Sequence, residues 1–87
     1  MENMIKIKPF GNRILVKPVE KKQVLVSDDG TLNEYGEVIA IGDDVKMIKV
    51  GDKVGFSVFG VEKLVIEEVK HYFIEENSEF LLCTIED

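Results

Sequence analysis

Turn-forming residues interrupt this chain so often that only one window leaves room for a helix. Gly11-Asn12, Pro18, Asp29-Gly30, Gly36, Gly42-Asp43, Gly51-Asp52, Gly60 and Asn77-Ser78 punctuate its 87 residues. Between them the apolar residues alternate with period two, the pattern of half-buried strands. Ile5 and Ile7 share a face, as do Ile14 and Val16, and then Val54, Phe56 and Val58. Gly55 inside that last run predicts a bend or a close backbone approach. Residues 36–42 are apolar on both faces, so both should be covered, as in a barrel or at a subunit contact. The helical window is 61–76, where Val61, Leu64, Val65, Val69, Tyr72 and Phe73 form a stripe. Ile66 and Ile74 fall off the stripe, and no capping residue follows Gly60. The run is also rich in β-branched and aromatic residues, so it predicts two strands, 63–67 and 69–75. Residues 76–79 read as a turn and 80–85 as a closing strand, apolar on both faces. The expected fold is all-β: one domain over 1–87, a small β-barrel of about seven short strands.

Residues 18–36 stand apart. The strands on either side, 13–17 and 37–41, are well marked, yet the chain between them is long for so small a domain. In its middle Val24, Leu25 and Val26 are consecutive, with Lys21-Lys22 before them and Asp28-Asp29-Gly30 after. An apolar triplet in a polar stretch calls for a partner, within the domain or outside it. Asp-Gly between apolar runs is also a hairpin signal. Residues 22–35 therefore read as a plain hairpin, as a partner-binding loop, or as both, since a hairpin can be the bound form of a loop.

Charge and cysteine content remove several classes of function. The net charge is −6, against the basic footprint that nucleic-acid binding needs and against attraction to anionic lipid. No apolar run approaches membrane-spanning length. Residues 1–6 lack a signal-peptide core, and the early Glu2 is unlike a transit peptide. A lone cysteine, Cys83, fits a reducing compartment, so the expected location is cytoplasmic. Cys83 lies in an apolar run and reads as a small core residue.

Catalytic constellations are missing. Glu67-Glu68, Glu75-Glu76 and Glu86-Asp87 are adjacent pairs, and neighbours on a strand point to opposite faces. His71 is the only histidine, which excludes a multi-histidine metal site within one chain, and it reads as a strand residue. Asp28-Asp29-Gly30 lacks the spacing of a calcium loop, and no glycine-rich phosphate cradle is present. The chain is expected not to be an enzyme and to need no cofactor.

Read in order, Ile7-Lys-Pro9, Asn12-Arg-Ile-Leu-Val-Lys17, the long loop with its apolar triplet, Gly36-Glu-Val-Ile-Ala-Ile-Gly42, Val50-Gly-Asp-Lys-Val54 and Glu79-Phe-Leu-Leu-Cys-Thr-Ile-Glu86 resemble the small co-chaperonins, the GroES-like lids of barrel-shaped chaperonins. The family's Pro-x-x-Asp-Arg signature is present as Pro9-Phe-Gly-Asn-Arg13, with Asn12 in the Asp position. The resemblance implies a heptameric ring of β-barrels. It implies a mobile loop, here within 18–36, docking an apolar triplet on an ATP-driven chaperonin, with ATP bound by that partner. The triplet maps to Val24, Leu25 and Val26, or one residue earlier from Gln23; the first register keeps all three apolar. Subunit contacts are implied for the terminal strands, at Ile5, Ile7, Phe80, Leu82 and Ile85.

Two features depart from the family pattern. The loop is short ahead of the triplet, and the roof excursion shrinks to residues 43–49. Trimmed co-chaperonins of this kind resemble those of some bacteriophages. A GroES-like scaffold with no chaperonin partner is the competing reading. A detached barrel domain like that of medium-chain alcohol dehydrogenases is a third, disfavoured by the missing metal ligands.

Overall fold

A computed structural model describes residues 6–19, 25–26, 32–58 and 61–85. The alternating runs become seven strands: β1 (Arg13–Pro18), β2 (Leu25–Val26), β3 (Leu32–Ile41), β4 (Lys53–Phe56), β5 (Glu62–Ile66), β6 (Val69–Glu75) and β7 (Leu81–Ile85). Every pairing is antiparallel, in the order β5-β6-β1-β3-β4-β7, with β2 attached to β3. No helix occurs among the described residues. The 61–76 window is the β5–β6 hairpin, as its β-branched content predicts.

Alternation places Ile14 and Val16 of β1, Val38 of β3, Val54 and Phe56 of β4, and Tyr72 and Ile74 of β6 in one buried cluster. Phe56 and Tyr72 make ring contact with centroids 5.1 Å apart. Their strands are separated by β1 and β3, which on a flat sheet would hold them about 14 Å apart. The contact therefore requires the sheet to roll. Two register shifts assist, since bulges add twist. One leaves Ile39 unmatched between the Leu15↔Ala40 and Val16↔Val38 pairs. The other leaves Leu82 unmatched between Gly55↔Cys83 and Phe56↔Leu81, at the bend Gly55 predicts.

Several sequence expectations are corrected. Residues 6–8 form no strand, having no ladder to join among the described residues. β1 includes Pro18, and β3 starts at Leu32, so the loop is shorter than 18–36. β4 ends at Phe56 rather than at Val58, although Val58 still packs on the core. Cys83 is exposed, not buried: β7 lies at the sheet margin, and opposite Cys83 stands Gly55, which has no side chain to cover it. The outer face of β3 is only partly covered, with Ile39 38% exposed.

Gly42 anchors the end of β3 to the turn before β1. Its N–H donates to the Arg13 carbonyl at 2.9 Å, and a Cβ there would lie 2.2 Å from the Gly11 carbonyl oxygen. The β5–β6 turn, by contrast, carries strain. Glu67 and Glu68 have φ of 52° and 70°, a left-handed pair that Asn-Gly adopts far more readily. The double substitution Glu67→Asn with Glu68→Gly is expected to stabilise the fold by about 1–2 kcal/mol and raise its melting temperature by several degrees. Thermal denaturation followed by circular dichroism measures this, and an unchanged or lower midpoint contradicts it.

Candidate functional site

The apolar triplet falls where β3 leaves the main sheet. β1 pairs with β3 as far as Pro18↔Gly36, and the Val19 N–H donates to the Tyr35 carbonyl at 3.1 Å. β4 accompanies β3 only as far as Glu34↔Phe56. Beyond that point β3 has β2 as its partner, through Leu25↔Asn33 and Val26↔Leu32. Leu25 and Val26 thus form one arm of a two-stranded projection, and the hairpin reading of this stretch is correct in outline. Two strands alone are marginally stable in water. Val24, Asp28, Asp29 and Gly30 lie outside the described residues.

The residues expected at subunit contacts divide. Ile5 lies outside the described residues. Phe80 packs against the chain's own core, and its carbonyl accepts the Ser57 N–H at 2.9 Å. Leu82 is 47% exposed on β7, Ile85 is half-buried, and Ile7 is half-buried beside the outer face of β1. Among the described residues β7 pairs with β4 alone, so its other edge offers unpaired backbone groups.

Residues 43–49 form no strand, and two carboxylates accept their N–H groups, Asp52 taking that of Lys49 at 2.9 Å and Glu76 three others. Glu76 accepts the backbone N–H groups of Lys46 at 3.0 Å, Met47 at 2.6 Å and Ile48 at 3.1 Å. Those bonds, Lys46 first, hold its carboxyl below the usual range despite a counteracting desolvation. Glu76 is itself positioned by its own N–H, which donates to the Asn12 carbonyl at 2.8 Å, while the Asn12 amide donates to Asn77 at 2.7 Å. Asn12, in the signature's Asp position, therefore braces the turn that carries Glu76. Ile48 is drawn into the core, and Met47 is left 79% exposed. At the other end of the segment Lys8 pairs with Asp43 at 2.8 Å, lowering the Asp43 pKa, but both groups are exposed and the pair adds little. No local pattern signals the Glu76 contact, because it joins a turn to a segment far away in the chain.

His71 is buried on β6, with Nδ1 2.8 Å from the Val69 carbonyl, which marks Nδ1–H as the donor. That is a structural role. Burial, and then the charge of Glu34, push the Tyr72 hydroxyl up. No group of three metal-binding side chains occurs among the described residues, and no helix there is long and apolar enough to cross a membrane.

Comparison with known proteins adds independent information. Residues 6–84 match the family described as the chaperonin 10 kDa subunit. A protein of Fusobacterium nucleatum subsp. polymorphum named co-chaperonin GroES is 36% identical over 91 aligned positions, covering 92% of this chain and 98% of the relative. Its namesake from Treponema denticola is 36% identical over 82 positions, covering 85% and 93%. The one from Thermotoga maritima is 32% identical over 94 positions, covering 97% and 100%.

The Glu76 contact sets a pH dependence. Its folded pKa lies below the unfolded value, so the stabilisation is complete above about pH 4.5 and is lost as pH falls through the folded value. Glu76→Ala is expected to cost about 1 kcal/mol at neutral pH, small because water competes for the freed N–H groups. It should also flatten the acid limb of the stability profile. Urea unfolding at pH 7 and down the acid limb to about pH 2 checks both, and a loss that stays equal throughout would exclude the carboxylate as the cause.

Proposed function

The chain belongs to the chaperonin 10 kDa family and is a co-chaperonin; from that premise we propose that it caps an ATP-driven chaperonin barrel through the β2–β3 hairpin and helps enclosed proteins to fold. Val24, Leu25 and Val26 make the contact. The observation that carries this reading is the position of Leu25 and Val26 on a projection with no strand partner but β3 among the described residues. The chain holds no cofactor and performs no chemistry of its own, ATP being bound by the partner. It works in the cytoplasm as a single-domain subunit.

Energetics favour a ring. Burying three aliphatic side chains gives at most about 1.5–3 kcal/mol each. Ordering a dozen hairpin residues costs about 1–2 kcal/mol apiece. One hairpin therefore binds weakly, and several on one ring bind by effective concentration. A heptamer joined through Ile5, Ile7, Leu82 and Ile85 supplies that valency. Weak single contacts also let the lid leave when the partner changes state.

Two outcomes test this. Leu25→Asp places a charge in an apolar seat, and, repeated round the ring, should abolish capping while the ring stays intact. The assay is co-sedimentation with a chaperonin and nucleotide, with hydrogen exchange on wild type showing residues 20–34 protected on binding. Normal capping by the variant would favour a scaffold role instead. With only residues 43–49 in place of a roof, electron microscopy of the capped complex should show an open axis; density from 43–49 meeting across it would refute this.

A further inference from the structure

Residues 45–50 present a surface that neither the core nor the hairpin uses. Their backbone is fixed: Glu76 accepts the N–H groups of Lys46, Met47 and Ile48, Asp52 accepts that of Lys49, and the Val45 N–H donates to the Gly42 carbonyl at 3.3 Å. Ile48 turns into the core and Val45 packs against it. The other four side chains, Lys46, Met47, Lys49 and Val50, are exposed, Met47 by 79% and Val50 by 60%. One exposed apolar side chain is ordinary on a protein surface. Here two stand close together, each directly preceded by a lysine. Backbone bonds hold the segment, so its path does not require Met47 and Val50 to be apolar. Charge also sets the stretch apart. The chain carries −6, yet residues 45–50 contain two lysines and no acid. Of the acids that flank them in sequence or bond to them, Glu76 and Asp52 face the segment's own N–H groups and Asp43 pairs with Lys8; only Asp44 lacks such a partner among the described residues.

We propose that residues 45–50 hold a non-native polypeptide where acidic and apolar side chains adjoin, Met47 and Val50 taking its apolar side chains and Lys46 and Lys49 its carboxylates. Methionine suits a partner of no fixed shape, because its side chain is unbranched and flexible. A lysine pair on an acidic chain directs an acidic partner to this stretch rather than elsewhere. The proposal rests on the co-chaperonin reading above and deepens it, since it names a contact for the enclosed protein. Topology agrees. One end of the β1–β3 ladder, at Pro18↔Gly36, leads into the hairpin, and the other, at Ile14↔Ile41, leads into Gly42 and this segment. A lid seated by its hairpin therefore carries residues 45–50 at the end away from the seat. Each contact is small, so the held chain can leave again, and repetition round a ring supplies the hold.

The probe is reduced, carboxymethylated α-lactalbumin, an acidic chain that stays unfolded, labelled for fluorescence anisotropy. Wild type should bind it. Met47→Ser with Val50→Ser should weaken binding by about fivefold, and Lys46→Glu with Lys49→Glu by about as much. Met47→Leu should keep it. All four side chains are exposed, so each variant should melt at the wild-type midpoint and still cap a chaperonin in the co-sedimentation assay. Unchanged probe binding in both double variants overturns the proposal. So does probe binding that Leu25→Asp abolishes and the double variants leave alone, which assigns it to the hairpin. A wild type that caps a chaperonin but does not bind the probe overturns this contact and leaves the proposed function standing. A wild type that binds the probe through these residues but caps no chaperonin overturns the function and leaves the contact.

Discussion

The contact between Phe56 and Tyr72 is the constraint on which the rest of this molecule depends. Two strands lie between them in the sheet, so the rings meet only if the sheet rolls. Rolling puts one face of β1, β3, β4 and β6 into a single core and turns the other outward. It leaves β5 and β7 at the two margins of the hydrogen-bonded order. The open edge and the projecting hairpin both follow from that geometry. A chain this small has little core to draw on, and its apolar residues divide between holding the subunit together and facing outward.

Much of this was legible in the sequence because it is local. Period two in Ile14 and Val16, or in Val54 and Phe56, fixes which side chains turn inward whatever the partner strand. The two strands in 61–76 followed from β-branched content, but Glu67, read as part of the first strand, lies in the left-handed turn between them. What was not legible depends on pairing. Cys83 lies in an apolar run that reads as core; only its pairing with Gly55 at the sheet margin exposes it. Residues 6–8 alternate correctly but have no ladder among the described residues.

The candidate site was legible to a different degree. The triplet stood out because three consecutive apolar residues among charges have no local explanation. The family resemblance then suggested what they contact, and the match over residues 6–84 shows that family. The Glu76 bonds to residues 46–48 were beyond reach of any local pattern. They show how a shortened segment is kept in place without a strand: carboxylates substitute for a ladder, Glu76 taking three N–H groups and Asp52 that of Lys49.

The pairing of β1 with β6 has a consequence for how the subunit comes into being. Ile14 pairs with Ile74, and Phe56 needs Tyr72, so no closed core exists until most of the chain has left the ribosome. Until then β1, β3 and β4 present apolar faces with nothing to close them, a state prone to aggregation. Contacts this distant along the chain also make closure slow, in the millisecond-to-second range typical of small β domains. β7 is synthesised after β6, so its free edge emerges behind the strand that completes the core. Chain order thus delays the sticky edge until there is a folded body to carry it, and a helper of other proteins' folding is itself a late and slow folder.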